Sequence, residues 1–133
     1  MREVRVQTAA GKFGQKITIG PHAIAADEER EAGGDDTGPG PHEILLAALG
    51  ACTSMTVKLY ADRKGWPLRA VDVRLSGRSE EGGYRIERSL LFEGELTGDQ
   101  KTRLIEIAEK CPVARTLKGE ITIATRLAGA AAA

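Results

Sequence analysis

Apolar and polar positions alternate in three short pieces at the start of the chain: Val4 and Val6, then Ile17 and Ile19, then Ile24 and Ala26. Gly11, Gly14 and the Gly20-Pro21 pair separate them. Period-two alternation broken by Gly and Pro predicts a meander of three short antiparallel strands. A polar connection rich in Gly and Pro follows, from Glu31 to Pro41, and its length predicts a functional loop rather than a simple turn. At Pro41 the period changes to that of a helix. Pro in the first helical position and Glu43 in the first turn make a good start. Ile44, Ala48, Ala51, Cys52, Met55 and Leu59 then recur at helical spacing. With Leu45, Leu46 and Leu49 added, the first half is apolar nearly all round, a pattern that predicts burial. The second half exposes Lys58, Asp62, Arg63 and Lys64, and Gly65-Trp66-Pro67 ends it. A helix of about 22 residues is roughly 33 Å long, so a long central helix is expected.

Two strands are expected next, with Val71, Val73 and Leu75 on one and Ile86, Leu90 and Phe92 on the other. Glu81-Gly82-Gly83 is the turn between them. Thr97-Gly98-Asp99-Gln100 has the form of a capping box, opening a helix with Leu104, Ile107, Ala108 and Cys111 on one face. Cys111-Pro112 breaks that helix, and a short helical piece runs through Val113 to Leu117. Ile121, Ile123 and Thr125 predict a last strand, and the tail 129–133 is expected to fray. At 133 residues the chain is the size of a single domain, spanning 1–133.

Composition fits a globular chain: of 133 residues, 41% are hydrophobic, 29% charged and only 4% aromatic. The core is therefore mainly aliphatic. A single domain of this size buries only about 68% of its unfolded surface, so a homodimer is expected. Nineteen basic residues balance nineteen acidic ones. No basic run lies beside aromatics that could stack bases, so a nucleic-acid role is not expected. The acidic stretch Asp27-Glu28-Glu29-Arg30-Glu31 reads as a solvated loop. No apolar signal core occupies the first 20 residues. The longest apolar run, Ile44 to Ala51, falls short of the ~20 residues a membrane span needs. A soluble, cytoplasmic protein is expected, and in a reducing compartment a cysteine pair points towards chemistry rather than a permanent bridge.

The two cysteines differ in their local setting. Cys52 reads alone as a small buried hydrophobe among alanines. Cys111 precedes Pro112 at the N-cap of the short helix, where unpaired N–H groups and the positive dipole end favour a thiolate. Arg115, one turn on, adds positive charge. Each is interior on its own helix, and they form a redox pair if the helices bring their Cα atoms within about 7 Å. Two unrelated core thiols are the equal alternative. His22, His42, Cys52 and Cys111 lack the close ligand pair of a zinc site, so no metal is expected. The glycines from Gly33 to Gly40 have no Gly-Lys-Ser/Thr ending and make no phosphate loop.

The run Gly38-Pro39-Gly40-Pro41-His42-Glu43-Ile44-Leu45-Leu46-Ala47-Ala48-Leu49-Gly50-Ala51-Cys52-Thr53-Ser54-Met55-Thr56 resembles the central helix of the OsmC/Ohr family. That family comprises osmotically inducible protein C and organic hydroperoxide resistance protein. Lys110-Cys111-Pro112-Val113-Ala114-Arg115-Thr116-Leu117, followed by Glu120-Ile121-Thr122-Ile123, resembles its second cysteine motif. The blocks stand in family order, and the resemblance covers essentially the whole chain. The extension Tyr60-Ala61-Asp62-Arg63-Lys64-Gly65-Trp66 looks like an OsmC-like branch.

The resemblance implies an α+β OsmC-like fold, with antiparallel sheets wrapped around a long central helix in an intertwined homodimer. It implies a peroxidase that needs no metal or other cofactor, reduces hydroperoxides (organic ones by preference), and serves oxidative-stress defence. By the motif match Cys52 is the peroxidatic cysteine, which becomes a sulfenic acid. Cys111 is the resolving one, and a dithiol, lipoyl-type or a small thiol, reduces the resulting bridge. The family sets a Glu and an Arg close to the first cysteine. Its best-studied members place the Glu ten positions before that cysteine, which is His42 here. Glu43, nine before, matches the register of the OsmC-like branch and is the carried-over residue. Arg30 is the only arginine between Arg5 and Cys52. Two other readings remain: a ligand-binding or stress-response module on the same fold with little or no turnover, and a structural dimer with core cysteines.

Overall fold

A computed structural model of the chain describes residues 1–129. The first three strands form as their alternation predicts. β1 (Val4–Thr8), β2 (Gln15–Ile19) and β3 (His22–Ala26) make an antiparallel sheet in that order. Val6 pairs with Ile17, and Ile17 with Ile24. Residues paired across strands share a face, so this register sets the three apolar side chains in one row.

The helix α1 (Pro41–Lys64) follows the loop and a short 3-10 turn, Arg30–Ala32. Its end is built by Gly65 in the left-handed region (φ 70°), which glycine enters without a steric cost. The Gly65 N–H donates to the Asp62 carbonyl and the Trp66 N–H to the Ala61 carbonyl. These two bonds are a Schellman motif, and they close the helix where the sequence placed its stop. β4 (Leu68–Glu80) and β5 (Gly83–Gly94) form a second, two-stranded sheet joined by a tight turn. α2 (Gly98–Ala108) opens with the expected capping box: the Thr97 side chain accepts from the Gln100 N–H, and the Gln100 side chain accepts from the Thr97 N–H. α3 (Pro112–Lys118) comes last.

The chain divides into two compact units, Met1–Ala51 with Val73–Ser89, and Cys52–Asp72 with the residues from Leu90 onward. In the first, the loop after β3 is organised by Asp27, which is buried. Its carboxylate accepts from the Thr37 N–H (3.1 Å), the Thr37 hydroxyl (2.7 Å) and the Glu28 N–H (2.7 Å). These donors, the Thr37 hydroxyl foremost, hold the Asp27 carboxyl below its usual value. The sequence read Asp27 as part of a solvated acidic stretch, but three converging donors make its burial tolerable. The second unit has the aliphatic core: Val57, Ala61, Leu68, Leu104 and Ala108, with Tyr60, Trp66 and Phe92 packed at its edge.

Two expectations are corrected. The first half of α1 is not buried within the chain: Leu49 and Gly50 are, while Leu45 is 38% exposed. In the second half Thr53, Val57 and Ala61 are buried, whereas Met55 and Leu59 stand exposed. Only one face of a helix can meet a given neighbour, and the smaller side chains of that half take it. By length and composition α1 matches a membrane-crossing helix, yet it buries this small-residue face in a protein core. The strand expected at Ile121–Thr125 is also absent, for residues 120–129 form no helix or strand. A strand needs a ladder partner, and this segment has none among the described residues. Of the tail expected to fray, 130–133 lie outside the described residues.

Candidate active site

Cys52 opens the second unit, on α1, and is half-buried. Its sulfur accepts the Val113 backbone N–H at 3.5 Å and lies 4.0 Å from the Thr56 hydroxyl one turn on. The donor follows from the start of α3. Pro112, in the first helical position, has no N–H to give. The Val113 N–H is therefore the first donor that the end of α3 presents, and it goes to Cys52.

Cys111 is the N-cap residue of α3, as its place before Pro112 predicts, with extended backbone (φ −63°, ψ 142°). Its carbonyl accepts the Arg115 N–H at 3.1 Å. Its side chain, however, makes no capping bond to the helix. The sulfur is fully buried and lies 3.6 Å from the Thr53 hydroxyl, which is fully buried too. The helix-start donor expected to serve Cys111 thus serves Cys52 instead. The two cysteines, both thiols, are brought together: residues 52 and 53 of α1 meet residues 113 and 111 respectively. Arg115 is exposed.

Glu43 belongs to the first unit. Its Oε1 accepts the Gly40 N–H at 2.8 Å, while the Gly40 carbonyl accepts the Ile44 N–H. The carboxylate therefore caps its own helix by reaching back from the third position. With Glu28, Glu29, Gly40 and His42 it lines a cleft of about 270 Å³. The negative charges of Glu31 and Glu43 push the Glu29 carboxyl up, Glu31 having the larger effect. A neighbouring cleft of about 550 Å³ is lined by His42, Glu43, Leu46, Leu75 and Tyr84 among others. There the His42 and Tyr84 rings lie 5.3 Å apart. Arg30, in the 3-10 turn of this unit, is exposed, as is His22 on β3. Among the described residues, no three or more His, Cys, Asp or Glu side chains gather as a metal would need.

Sequence reasoning did not find two features of the second unit. One is Thr53, whose neighbour in sequence is the only hint of its place. The other joins α1 to α2: the Arg103 Nε donates to the Tyr60 hydroxyl at 3.1 Å. That bond holds the Tyr60 phenol below its usual value, with the Arg103 charge adding to it. Tyr60 also meets Trp66 edge-on, ring centres 5.6 Å apart.

The family model for OsmC-like protein matches residues 33–126, most of the chain and both cysteine blocks. No curated protein matches the sequence. Among solved structures, an OsmC-like protein from Mycoplasma pneumoniae superposes with a TM-score of 0.76 at 19% identity, over 90% of this chain and 88% of that one. The organic hydroperoxide resistance protein OsmC from Legionella pneumophila gives 0.63 at 20% identity, covering 88% and 90%. The organic hydroperoxide resistance protein OhrB of Bacillus subtilis gives 0.60 at 22%, covering 88% and 91%. At these identities the structural likeness shows the fold alone. With the family model matching over more than half of its length, this chain belongs to the OsmC-like protein family.

Proposed function

We propose that the protein is a cysteine-based hydroperoxide reductase, with organic hydroperoxides as preferred substrates, Cys52 as the peroxidatic and Cys111 as the resolving residue. The observation that carries this reading is the sulfur of Cys52 receiving a fixed N–H donor from Val113, two residues beyond Cys111. The thiolate of Cys52 attacks the terminal peroxide oxygen, the O–O bond breaks, and the alkoxide leaves as the alcohol after taking up the proton that the thiol gave up. Cys52 is left as a sulfenic acid. The Cys111 sulfur then displaces hydroxide from it, forming the disulfide and releasing water. An external dithiol, lipoyl-type or a small thiol, reduces the bridge by exchange.

Glu43 enters this reading as the carboxylate that the family sets ahead of its first cysteine, held in one rotamer by the Gly40 N–H. The working form is a homodimer in the cytoplasm. Exposed apolar side chains support the dimer: Met55 (71%) and Leu59 on α1, and Ile121 and Ile123 (84%) beyond α3. Names of structural relatives that mention hydroperoxide resistance support the substrate class. A second reading, a ligand-binding or stress-response module with little turnover, draws on the cleft beside His42 and Tyr84.

The test is consumption of cumene hydroperoxide with dihydrolipoamide as reductant, compared between the native chain and Cys52→Ser. Turnover by the native chain and its loss in the variant are expected. Absent turnover, or turnover that survives the substitution, removes the enzyme reading and leaves the binding module.

A further inference from the structure

We propose that Thr53 is a positioning residue for disulfide formation, acting through the sulfur of Cys111. The proposal rests on the peroxidase reading above and assigns to that chemistry a residue outside the cysteine pair. Thr53 is fully buried on the face of α1 that also carries Val57 and Ala61. At such a place a hydroxyl is the costlier choice: valine has the same shape, and a buried polar group needs a partner. The Cys111 sulfur, 3.6 Å away and equally buried, is one such partner.

The contact has a direct consequence for the second step. The Cys52 sulfur meets the Val113 N–H two residues beyond Cys111, so a Cys111 sulfur tethered to Thr53 is kept at the segment that already touches the sulfenic acid. The Cys111 sulfur must then form the S–S bond as the Cys52 S–O bond breaks, with the thiol proton leaving on hydroxide as water. The competing reaction is attack of the sulfenic acid sulfur on a second peroxide, whose O–O bond breaks to give a sulfinic acid and a second molecule of alcohol. Holding Cys111 close favours the first route over the second. A hydroxyl rotor can follow the sulfur as it changes from thiol to thiolate, donating or accepting as needed.

The test compares the reduced full-length chain with Thr53→Val, which keeps the volume and removes the hydroxyl, and Thr53→Ser, which keeps the hydroxyl. Each is mixed with one equivalent of cumene hydroperoxide and then with an excess, and followed by intact mass and peptide mapping. In Thr53→Val the disulfide is expected to form about fivefold more slowly, the factor that one hydrogen bond of ordinary net strength is worth. The share of Cys52 trapped as sulfinic acid is expected to rise. Thr53→Ser is expected to restore both. Should the valine chain fail to fold, Thr53→Ala serves in its place. Disulfide formation at the native rate in the valine or alanine chain overturns the role of Thr53. So does a serine chain impaired as much as they are, since shape rather than the hydroxyl then matters. A native chain that forms no disulfide at all overturns the underlying peroxidase reading instead.

Discussion

The Val113 backbone N–H points at the sulfur of Cys52, 3.5 Å away, although 61 positions separate the two residues. The N–H comes from the start of α3 and the sulfur from α1, so a helix-start donor is used by a side chain from another element. Cys111, which occupies the cap position itself, turns its sulfur to Thr53 instead. The half-buried sulfur has the donor and the enclosed one has the tether, a division of labour that suits an attacking and a resolving thiol.

Exposure separates the two sulfurs, because an alkylating reagent must reach what it modifies. Cys52 is half-buried and Cys111 fully buried. Limited treatment of the native chain with iodoacetamide is expected to label Cys52 first, with Cys111 modified only on unfolding. Peptide mapping reads the order, and faster labelling of Cys111 contradicts this placement of the sulfurs.

Leu104 is the largest fully buried side chain and sits in the core of the second unit with Val57, Ala61, Leu68 and Ala108. Leu104→Ala removes its contacts and leaves a cavity, so a loss of about 2–5 kcal/mol is expected. Chemical denaturation measures it. A loss well below 1 kcal/mol would mean that this core is not packed as described.

Asp27 gives the loop after β3 an acid dependence whose sign is fixed. Its folded value lies below its unfolded one, because Thr37 and the Glu28 N–H donate to the carboxylate. Its stabilising contribution is complete above the unfolded value, about 3.9, and is lost as pH falls through the lower folded value. Asp27→Asn is expected to be less stable near neutral pH and to flatten the acid limb of a stability–pH curve. An unchanged acid limb counts against the buried carboxylate.

The Arg103–Tyr60 bond is open to spectroscopy. Arg103→Met removes the donor and the charge that hold the Tyr60 phenol down. Its ionisation, followed by ultraviolet absorbance against Tyr60→Phe as a blank, is expected to move up towards the ordinary tyrosine value of about 10. No movement would show that the guanidinium does not govern this phenol.

What was legible in the sequence was local. The capping box at Thr97, the stop at Gly65, the three-strand meander and the hairpin after Leu68 each depend on residues a few positions apart. The structure forms all of them. The site was legible only in its residue types. That the Val113 N–H serves Cys52, and that Thr53 meets Cys111, depends on packing between α1 and the segment around α3, which no spacing encodes. The exposed side of α1 and the segment 120–129, which forms no strand among the described residues, failed for a related reason. Met55, Leu59, Ile121 and Ile123 have the pattern of buried positions, but hydrophobic pattern says that a residue favours burial, not which surface will cover it. Glu43 carried two meanings in sequence, a first-turn charge at a helix start and a functional carboxylate, and its bond to the Gly40 N–H belongs with the first of these.

The most direct measurement is the mass of the reduced chain after one equivalent of organic hydroperoxide, with peptide mapping of the product. Loss of two hydrogens, no added oxygen, and one bridged peptide joining Cys52 to Cys111 is the expected result. Two thiols that persist through an excess of peroxide would contradict it, as would a stable oxygen adduct on Cys52 with Cys111 untouched.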